Sequence, residues 1–221
     1  MLVLLPNVLD PSQNPRGLFS QEDISGLQGL IAESEKGARR FLRACALDLP
    51  ILLLNEHTQD YDAILEPLRQ GQKWGLISDC GLPCLADPGS VLVQRAQAAG
   101  VVIHAICGPS SLTLILMLSG LPAQNFSFHG YLQREKPLLS KQLLDFQKRG
   151  GTHIFIETPY RNIKLFETLL ETLNHNTLVC LACDLTLPTQ IVRTQPICVW
   201  KKQNIPEIHK KPAIFAIFAS T

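Results

Sequence analysis

Short apolar runs alternate with segments of helical period along most of this chain, and this alternation constrains its fold more than any other feature. The apolar runs are bounded by glycine, proline, asparagine and aspartate residues. Strands that alternate with helices favour βαβ units, in which consecutive strands run parallel. Hydrophobic residues make up 46% of the 221 residues, enough to bury a large core. The sequence therefore predicts an α/β fold.

The apolar runs predict strands, and the segments of helical period predict helices. The predicted strands are residues 2–5, 51–54, 74–78, 101–106, 153–157, 177–182, 197–200 and 213–218. The predicted helices are residues 34–46, 61–70, 88–99, 110–119, 137–148 and 160–173. Periodicity leaves residues 27–33 open between a helix end and a short strand. Strands late in the chain have no helices between them, so we expect a mixed or antiparallel sheet in the second half.

Two helix starts carry a recognisable signal. Asp87-Pro88 and Thr158-Pro159 each place an oxygen-bearing side chain before a proline. A proline is favoured at the first position of a helix, and aspartate and threonine are favoured as N-caps. The pattern predicts that Asp87 and Thr158 cap the helices that follow them.

Charge is distributed unevenly between the two halves of the chain. Residues 1–110 hold 8 basic and 12 acidic side chains, a net charge of −4, whereas residues 111–221 hold 12 and 7, a net charge of +5. An excess of +5 is modest for a protein that binds nucleic acid by charge alone. Nine cations of the second half could form a face that contacts phosphates, or they could simply belong to an ordinary solvated surface. They are Arg134, Lys136, Lys141, Lys148, Arg149, Lys201, Lys202, Lys210 and Lys211.

Several functional classes lack their signatures in this sequence. There is no G-x-x-x-x-G-K-[ST] loop, no H-E-x-x-H, no G-x-S-x-G and no G-x-G-x-x-G after the first strand. The apolar start lacks a basic region and is interrupted by Pro6, and no later apolar stretch approaches the ~20 residues of a membrane span. We therefore expect a cytoplasmic protein without a membrane segment.

The seven cysteines predict neither disulfides nor a metal site. Cys180 and Cys183 have the spacing of a metal knuckle, but a strand directs two such side chains to opposite faces. Buried, reduced thiols are the simpler interpretation. Cys80 and Cys84 flank a turn and offer a nucleophile, although neither has a histidine nearby in sequence.

Two irregular loops follow predicted strands, at the position where open α/β sheets bind their ligands. The loop of residues 78–89 contains two glycines and two prolines in a short stretch, which gives a rigid backbone that approaches a ligand closely. The second loop, Gly108-Pro109-Ser110-Ser111, opens an apolar helix with free N–H groups and two hydroxyls. A close approach of the backbone, and a positive φ, would each explain Gly108. The alternatives are a tight turn that serves only the next helix and an ordinary serine cap.

Around these loops the sequence resembles the tetrapyrrole methylase superfamily of S-adenosylmethionine-dependent enzymes. The resemblance is closest to the branch of ribosomal RNA small-subunit methyltransferase I. Five segments occur in the order and approximate spacing of that branch, within a resemblance that extends from about residue 74 to 187 and is weak before residue 60. They are Ser78-Asp79-x-Gly81-x-Pro83-x-x-x-Asp87-Pro88-Gly89, Gly108-Pro109-Ser110, Gly120-Leu121-Pro122, Phe128-x-Gly130-Tyr131-Leu132 and Phe155-Ile156-Glu157-Thr158-Pro159-Tyr160-Arg161.

The chain departs from the branch at three places. Leu5-Pro6-Asn7-Val8-Leu9 stands where those methylases usually have Thr-Pro-Ile-Gly-Asn. Ala32-Glu33-Ser34-Glu35-Lys36 replaces Ala-Glu-Asp-Thr-Arg. Cys183-Asp184-Leu185-Thr186-Leu187 replaces Arg-Glu-Leu-Thr-Lys, which removes two cations. The resemblance therefore supports the binding of the cofactor better than the identity of the acceptor.

The resemblance implies a two-domain fold, with a mostly parallel sheet in residues 1–110 and a mixed sheet in residues 111–221. It also implies a homodimer, with S-adenosyl-L-methionine in a cleft between the two domains. No metal is implied. Residues at matching positions are expected to bind the cofactor: Pro6, Ser78, Gly81, Pro83, Leu85, Ala86, Asp87, Gly108, Pro109, Ser110, Ser111, Ile156, Pro212 and Ala213.

The implied chemistry is methyl transfer to a nucleophile, with 2′-O-methylation of ribosomal RNA as the first hypothesis. Alignment of the reactants supplies much of the catalysis in such a displacement, so a catalytic triad is not required. If the acceptor is a hydroxyl, Asp79 and Glu157 are the candidate general bases. Structural roles are the alternative, with Asp79 capping its turn and Glu157 paired with Arg161. A protein or small-molecule acceptor, or a binding module without turnover, are the competing functions.

Overall fold

The computed structural model describes residues 1–219, and the chain divides into two compact units, Met1–Ser110 and Ser111–Thr221. The first unit has five strands, four α-helices and one 3-10 helix. They are β1 (Leu2–Leu4), the 3-10 helix Pro15–Leu18, α1 (Gln21–Ile24), β2 (Gly29–Ala32), α2 (Glu35–Cys45), β3 (Ile51–Leu53), α3 (Tyr61–Arg69), β4 (Trp74–Ile77), α4 (Gly89–Ala98) and β5 (Ile103–Ala105).

The five strands of the first unit form one parallel sheet in the order β3-β2-β4-β1-β5. Leu2 of β1 pairs with Trp74 of β4 on one side and with Ile103 of β5 on the other. Alternate residues of a strand face opposite sides of a sheet, so Leu2 and Val3 enter separate apolar clusters, both fully buried. All five strands end at the same edge, and the loops after β4, β1 and β5 are neighbours there.

Helix α2 packs one face against this sheet. Its N-cap is Ser34, whose hydroxyl oxygen accepts a hydrogen bond from the Gly37 amide at 3.0 Å. Small and apolar side chains at helical spacing are buried on the inner face: Gly37, Ala38, Phe41, Leu42 and Cys45. The helix ends at Ala46, which adopts the left-handed conformation with a φ of 54°.

The second unit has five strands and four helices within the described residues. They are α5 (Ser111–Ser119), β6 (Phe126–Tyr131), α6 (Lys136–Arg149), β7 (Gly151–Glu157), α7 (Asn162–Thr172), β8 (Leu178–Cys183), β9 (Ile191–Pro196), α8 (Ile197–Trp200) and β10 (Ala213–Ala219). The sheet order is β6-β7-β10-β8-β9, with β6 parallel to β7 and the other pairs antiparallel. The predicted α/β class, with a parallel sheet first and a mixed sheet second, is confirmed.

The predicted strand at residues 197–200 is wrong, because these residues form the single helical turn α8. Strand β9 ends at Pro196, and the Ile197 and Cys198 amides then donate to the Thr177 and His175 carbonyls, both at 3.0 Å. Ile197 and Trp200 are both buried, three residues apart. That spacing brings two side chains to one face of a helix but to opposite faces of a strand. An apolar run of four residues fits either structure, and tertiary burial decides between them.

The predicted helix starts differ from the structure at two places. Helix α7 begins at Asn162 and its N-cap Arg161 makes no side-chain capping bond, because residues 158–161 form a turn in which the Arg161 amide donates to the Thr158 carbonyl at 2.9 Å. Helix α4 begins at Gly89, with Pro88 rather than Asp87 at the N-cap. Residues 27–33, which periodicity left open, contain strand β2. Strands β6 and β9 were not predicted.

Candidate functional site

The loops that follow β1 and β4 are connected by main-chain hydrogen bonds and by the side-chain amide of Asn7. The Asn7 amide donates to the Gly81 carbonyl at 2.7 Å, and the Gly81 amide donates to the Val8 carbonyl at 3.1 Å. The side-chain nitrogen of buried Asn7 donates to the Ser78 carbonyl at 2.9 Å, while its oxygen accepts from the Val8 amide at 2.9 Å. The path of the loop after β1 is therefore fixed by the loop after β4.

The loop after β5 closes on the other two at Gly108. A side-chain carbon at Gly108 would lie 2.1 Å from Cβ of Pro6, so only glycine fits there. Of the two explanations for Gly108, the close approach of the backbone is the one observed, because Gly108 is not among the residues with positive φ, whereas Gly81 has a φ of 73°. A side-chain carbon at Gly81 would lie 3.5 Å from the Pro109 carbonyl oxygen. Pro6, Gly81 and Gly108 therefore bring three loops into contact.

The second part of the β4 loop is held in an unusual backbone conformation. Cys84 and Ala86 have φ values of 70° and 63°, which side-chain-bearing residues rarely adopt. Asp87 stabilises this conformation, because its Oδ1 accepts hydrogen bonds from the Cys84 amide at 2.7 Å and the Gly89 amide at 3.1 Å. Burial raises the pKa of Asp87 above its usual value. Its Oδ2 is buried without a hydrogen-bond partner among residues 1–219.

Asp79, one of the two candidate bases, is connected to the start of α2. Its Oδ1 accepts a hydrogen bond from the Ser34 hydroxyl at 2.8 Å, and Arg40 Nη2 donates to its carbonyl oxygen at 3.1 Å. Glu33 Oε2 lies 3.4 Å from the Asp79 amide. Burial, followed by the charge of Asp79, raises the pKa of Glu33. No hydrogen bond to Asp79 Oδ2 is present within the described part of the chain.

The other predicted residues of the first unit lie on the same loops. Ser78 is buried and its hydroxyl donates to the Cys80 carbonyl at 2.9 Å. Pro83 and Ser110 are buried, whereas Leu85, at 47% exposure, and Ala86 are open to solvent. Ser111 begins α5 and the second unit. The loop thus combines a fixed backbone with exposed apolar side chains.

Glu157, Ile156, Pro212 and Ala213 lie together in the second unit. Ala213 begins β10 opposite Glu157, the last residue of β7, and Ile156 pairs with Ile214. The Pro212 carbonyl accepts from the Asp184 amide at 3.0 Å. Both carboxylate oxygens of Glu157 are engaged, Oε1 with the Thr158 amide at 2.7 Å and Oε2 with Arg161 Nε at 3.3 Å. These contacts match the structural role considered for Glu157.

The cysteines near the β4 loop are poorly suited to act as nucleophiles. Desolvation of the sulfur atoms raises the pKa of Cys80 and of Cys84 to about 11. A thiol with such a pKa is protonated at neutral pH, and the thiolate is the reactive form. Cys180 and Cys183 are buried in β8. Residues 1–219 contain no group of three His, Cys, Asp or Glu side chains arranged to hold a metal ion, and no helix among them is both long and apolar enough to cross a membrane.

Sequence reasoning missed Asn7, Glu33, Ser34 and Arg40 as neighbours of the site. Asn7 and Glu33 each follow a strand of the parallel sheet. Their positions after these strands indicate the edge of the sheet at which the site lies. The contacts of Ser34 and Arg40 with Asp79 span 45 and 39 residues, and no local pattern predicts them.

The chain is similar to proteins of a known family. The family described as Tetrapyrrole (Corrin/Porphyrin) Methylases matches residues 26–197. A protein from Xylella fastidiosa named "Ribosomal RNA small subunit methyltransferase I" is 31% identical over 190 residues, which cover 85% of this chain and 70% of that protein. The protein of the same name from Vibrio cholerae is 28% identical over 176 residues, 79% of this chain and 61% of that protein.

One solved structure extends the comparison to the fold. The crystal structure of the methyltransferase CobJ has a TM-score of 0.61 and 16% sequence identity, covering 99% of this chain and 93% of that chain. At this identity the likeness describes the fold alone. The chain spans between half and about two thirds of the length of most of the curated relatives that it matches, for example 50% of the protein from Bacillus subtilis.

Proposed function

Because the chain belongs to the family of tetrapyrrole (corrin/porphyrin) methylases, which depend on S-adenosylmethionine, we propose that it transfers the methyl group of S-adenosylmethionine to ribosomal RNA. The observation that carries the proposal is the convergence of three loops at Pro6, Gly81 and Gly108, with no room for a side chain at Gly108. The names of the relatives from Xylella fastidiosa and Vibrio cholerae support small-subunit ribosomal RNA as the acceptor.

The residues present at these loops fit the proposed cofactor. Glycines at 81 and 108 allow the loops to pack closely together, and the strained turn at Cys84 and Ala86 presents main-chain groups. Exposed Leu85 offers an apolar surface for an adenine ring. The residues proposed to hold the cofactor in the first unit are Pro6, Ser78, Gly81, Pro83, Leu85, Ala86, Asp87, Gly108, Pro109 and Ser110. The contributions of Ser111, Ile156, Pro212 and Ala213, and the cleft and the homodimer, stay predictions.

Bound S-adenosylmethionine supplies a methyl group on a positively charged sulfur, which is already reactive toward a nucleophile. The protein therefore has to align the acceptor and receive its proton. A rigid loop favours alignment because it loses little conformational freedom on binding. Among the two candidate bases, the geometry favours Asp79, since no hydrogen bond to its Oδ2 is present within residues 1–219, whereas both oxygens of Glu157 are engaged.

The acceptor is tested by incubating the protein with S-adenosylmethionine carrying a labelled methyl group and small-subunit ribosomal RNA, free or in ribosomal subunits. We expect label in the RNA, at ribose positions that resist alkaline hydrolysis. Label in protein or in small molecules would replace RNA by one of the alternative acceptors. Cofactor binding without label in any component of a cell extract would contradict catalysis and favour a binding module.

The role of Asp79 is tested with Asp79→Asn, and Glu157→Gln serves as the matched control. If Asp79 receives the proton, Asp79→Asn lowers kcat by about 10²–10⁴-fold and removes the dependence of kcat on its ionisation, with the affinity for S-adenosylmethionine unchanged. Glu157→Gln retains kcat. Unchanged kcat and pH profile in Asp79→Asn would show that Asp79 is only structural.

A further inference from the structure

The cations of the first unit are concentrated on helix α2. Residues 1–110 carry a net charge of −4, yet four of their eight basic side chains lie within eight consecutive positions, as Lys36, Arg39, Arg40 and Arg43. Their spacing of three, four and seven residues places all four on one face of the helix. The sequence analysis did not single out this group, because the net charge of the half is negative.

The structure presents this face to solvent. The opposite face of α2 is buried against the sheet, whereas Lys36, Arg39 and Arg43 are exposed and Arg40 is half-buried. Together with Glu35, the four basic side chains line a surface groove of about 590 Å³. We call this feature the α2 groove.

The α2 groove is poorly neutralised by its own surroundings. Arg39 pairs with Glu35, through atoms 2.6 Å apart, and Arg40 donates to the Asp79 carbonyl. Within residues 1–219, no carboxylate pairs with Lys36 or Arg43. Four cations and one anion line the groove itself, a net charge of +3 along about 10 Å of helix, and Asp10 and Asp79 lie near Arg40 at its side. Such an excess of positive charge on one helix face attracts a polyanion.

Several of the rival cations of the second unit have partners. Lys136 pairs with Glu171, and Lys211 pairs with Asp184 at 3.3 Å. Arg149 lies over the Phe146 ring, 5.7 Å from its centroid. Of the basic surfaces within the described residues, the α2 groove is the more concentrated.

The α2 groove borders the loop that is proposed to hold the cofactor. Helix α2 begins directly after β2, at the edge of the sheet where the β4 loop begins. Ser34 at its N-cap bonds the Asp79 carboxylate, and Arg40 within the groove bonds the Asp79 carbonyl. An RNA strand bound along the groove would therefore pass beside the loop that is proposed to hold the cofactor.

We propose that the α2 groove binds the phosphodiester backbone of the RNA acceptor, an inference that rests on the proposed function. Arginine presents several N–H donors in a planar fork that matches phosphate oxygens, and three of the four cations are arginines. Contacts of this kind position an RNA without reading its sequence. Residues of the first unit would thus bind the substrate as well as the cofactor.

The test compares two triple variants that remove the same charge. Lys36→Gln, Arg39→Gln and Arg43→Gln together remove the exposed cations of the α2 groove and leave Arg40 on the Asp79 carbonyl. The control carries Arg134→Gln, Lys141→Gln and Lys148→Gln, which remove three exposed cations in or near α6. Binding of labelled small-subunit ribosomal RNA fragments is titrated across a salt series, and the affinity for S-adenosylmethionine is measured for each protein by calorimetry.

In the α2 variant we expect RNA binding at least tenfold weaker at the lowest salt. The slope of log affinity against log salt should become shallower by about 2, from three lost contacts at ~0.7 each for a single strand. The control should keep the wild-type slope, and all three proteins should bind S-adenosylmethionine alike. A wild-type salt slope in the α2 variant would overturn the proposal. The contradiction would be clearest if the slope became shallower in the control instead.

Failure of the proposed function gives a different result. A wild-type protein that binds S-adenosylmethionine but no RNA would refute the RNA acceptor and the α2 groove with it. A wild-type protein that binds RNA with salt dependence, but no S-adenosylmethionine, would refute the methyl transfer while the comparison of the two variants still decides the groove.

Discussion

At Gly108 the chain passes too close to the Pro6 ring for any side chain. The neighbouring atoms belong to a proline, whose ring is fixed to the main chain and has little freedom to move aside. Pro6 is followed by Asn7, which holds the β4 loop through the Ser78 and Gly81 carbonyls. A change at Gly108 therefore reaches all three loops of the proposed cofactor site.

Gly108→Ala is expected to abolish or strongly weaken binding of S-adenosylmethionine, because Cβ must displace Pro6. Overpacking of this kind lowers the free energy of unfolding by about 1–3 kcal/mol. Calorimetric titration measures the affinity and urea denaturation measures the stability. Gly17→Ala is the matched control, since Gly17 is exposed with nothing within 4 Å of its added carbon. If Gly108→Ala binds the cofactor like the wild type, the loop after β5 is not part of the site.

At the scale of elements, α8 shows how a short apolar run is directed by its surroundings. Trp200 is 1% exposed, its indole N–H donates to the Val179 carbonyl at 3.0 Å, and its ring meets Phe166 edge-on with centroids 5.0 Å apart. Phe166 lies on α7 and Val179 on β8. This turn therefore anchors three elements in the core of the second unit.

Trp200→Ala is expected to lower the free energy of unfolding by about 3–5 kcal/mol, because it leaves a cavity among these elements. Trp200→Phe keeps most of the packing and loses the hydrogen bond to Val179, so a smaller loss of about 1–2 kcal/mol is expected. Both losses are measured by denaturant unfolding. Equal stability of the two variants would contradict the cavity argument, and a loss below about 1 kcal/mol in Trp200→Ala would contradict the packing of α8.

The elements differ in how far the sequence predicted them. Helix α2 was predicted to within one residue at each end, because its serine cap and apolar spacing are local signals. Strand β6 was missed because it contains no continuous apolar run, although Phe126 and Phe128 alternate with Ser127 and His129 as is typical of a half-buried strand, and a bulge shifts its register between Phe128 and Tyr131. The order of β4, β1 and β5 depends on pairing between distant segments. The loops of the site were predicted as loops. Their contacts through Asn7 and Gly108 were not predicted, because these contacts depend on the order of the strands in the sheet.

At the scale of the whole molecule, each unit gathers the predicted residues at one place. The first unit collects the loops after β4, β1 and β5, and the second collects Ile156, Glu157, Pro212 and Ala213 at the ends of β7 and β10. Members of the matched family share a dependence on S-adenosylmethionine. The central claim is that this chain binds that molecule in its native state.

Titration of the protein with S-adenosylmethionine, followed by calorimetry and thermal unfolding, tests this claim most directly. A ligand that binds only the native state stabilises it by about 2.7 kcal/mol at a hundredfold excess over Kd, which raises the Tm of a chain of this size by about 5–11 °C. We predict a saturable heat of binding and an increase of this size with S-adenosylmethionine and with S-adenosylhomocysteine. The absence of both heat and shift at millimolar ligand would contradict the account.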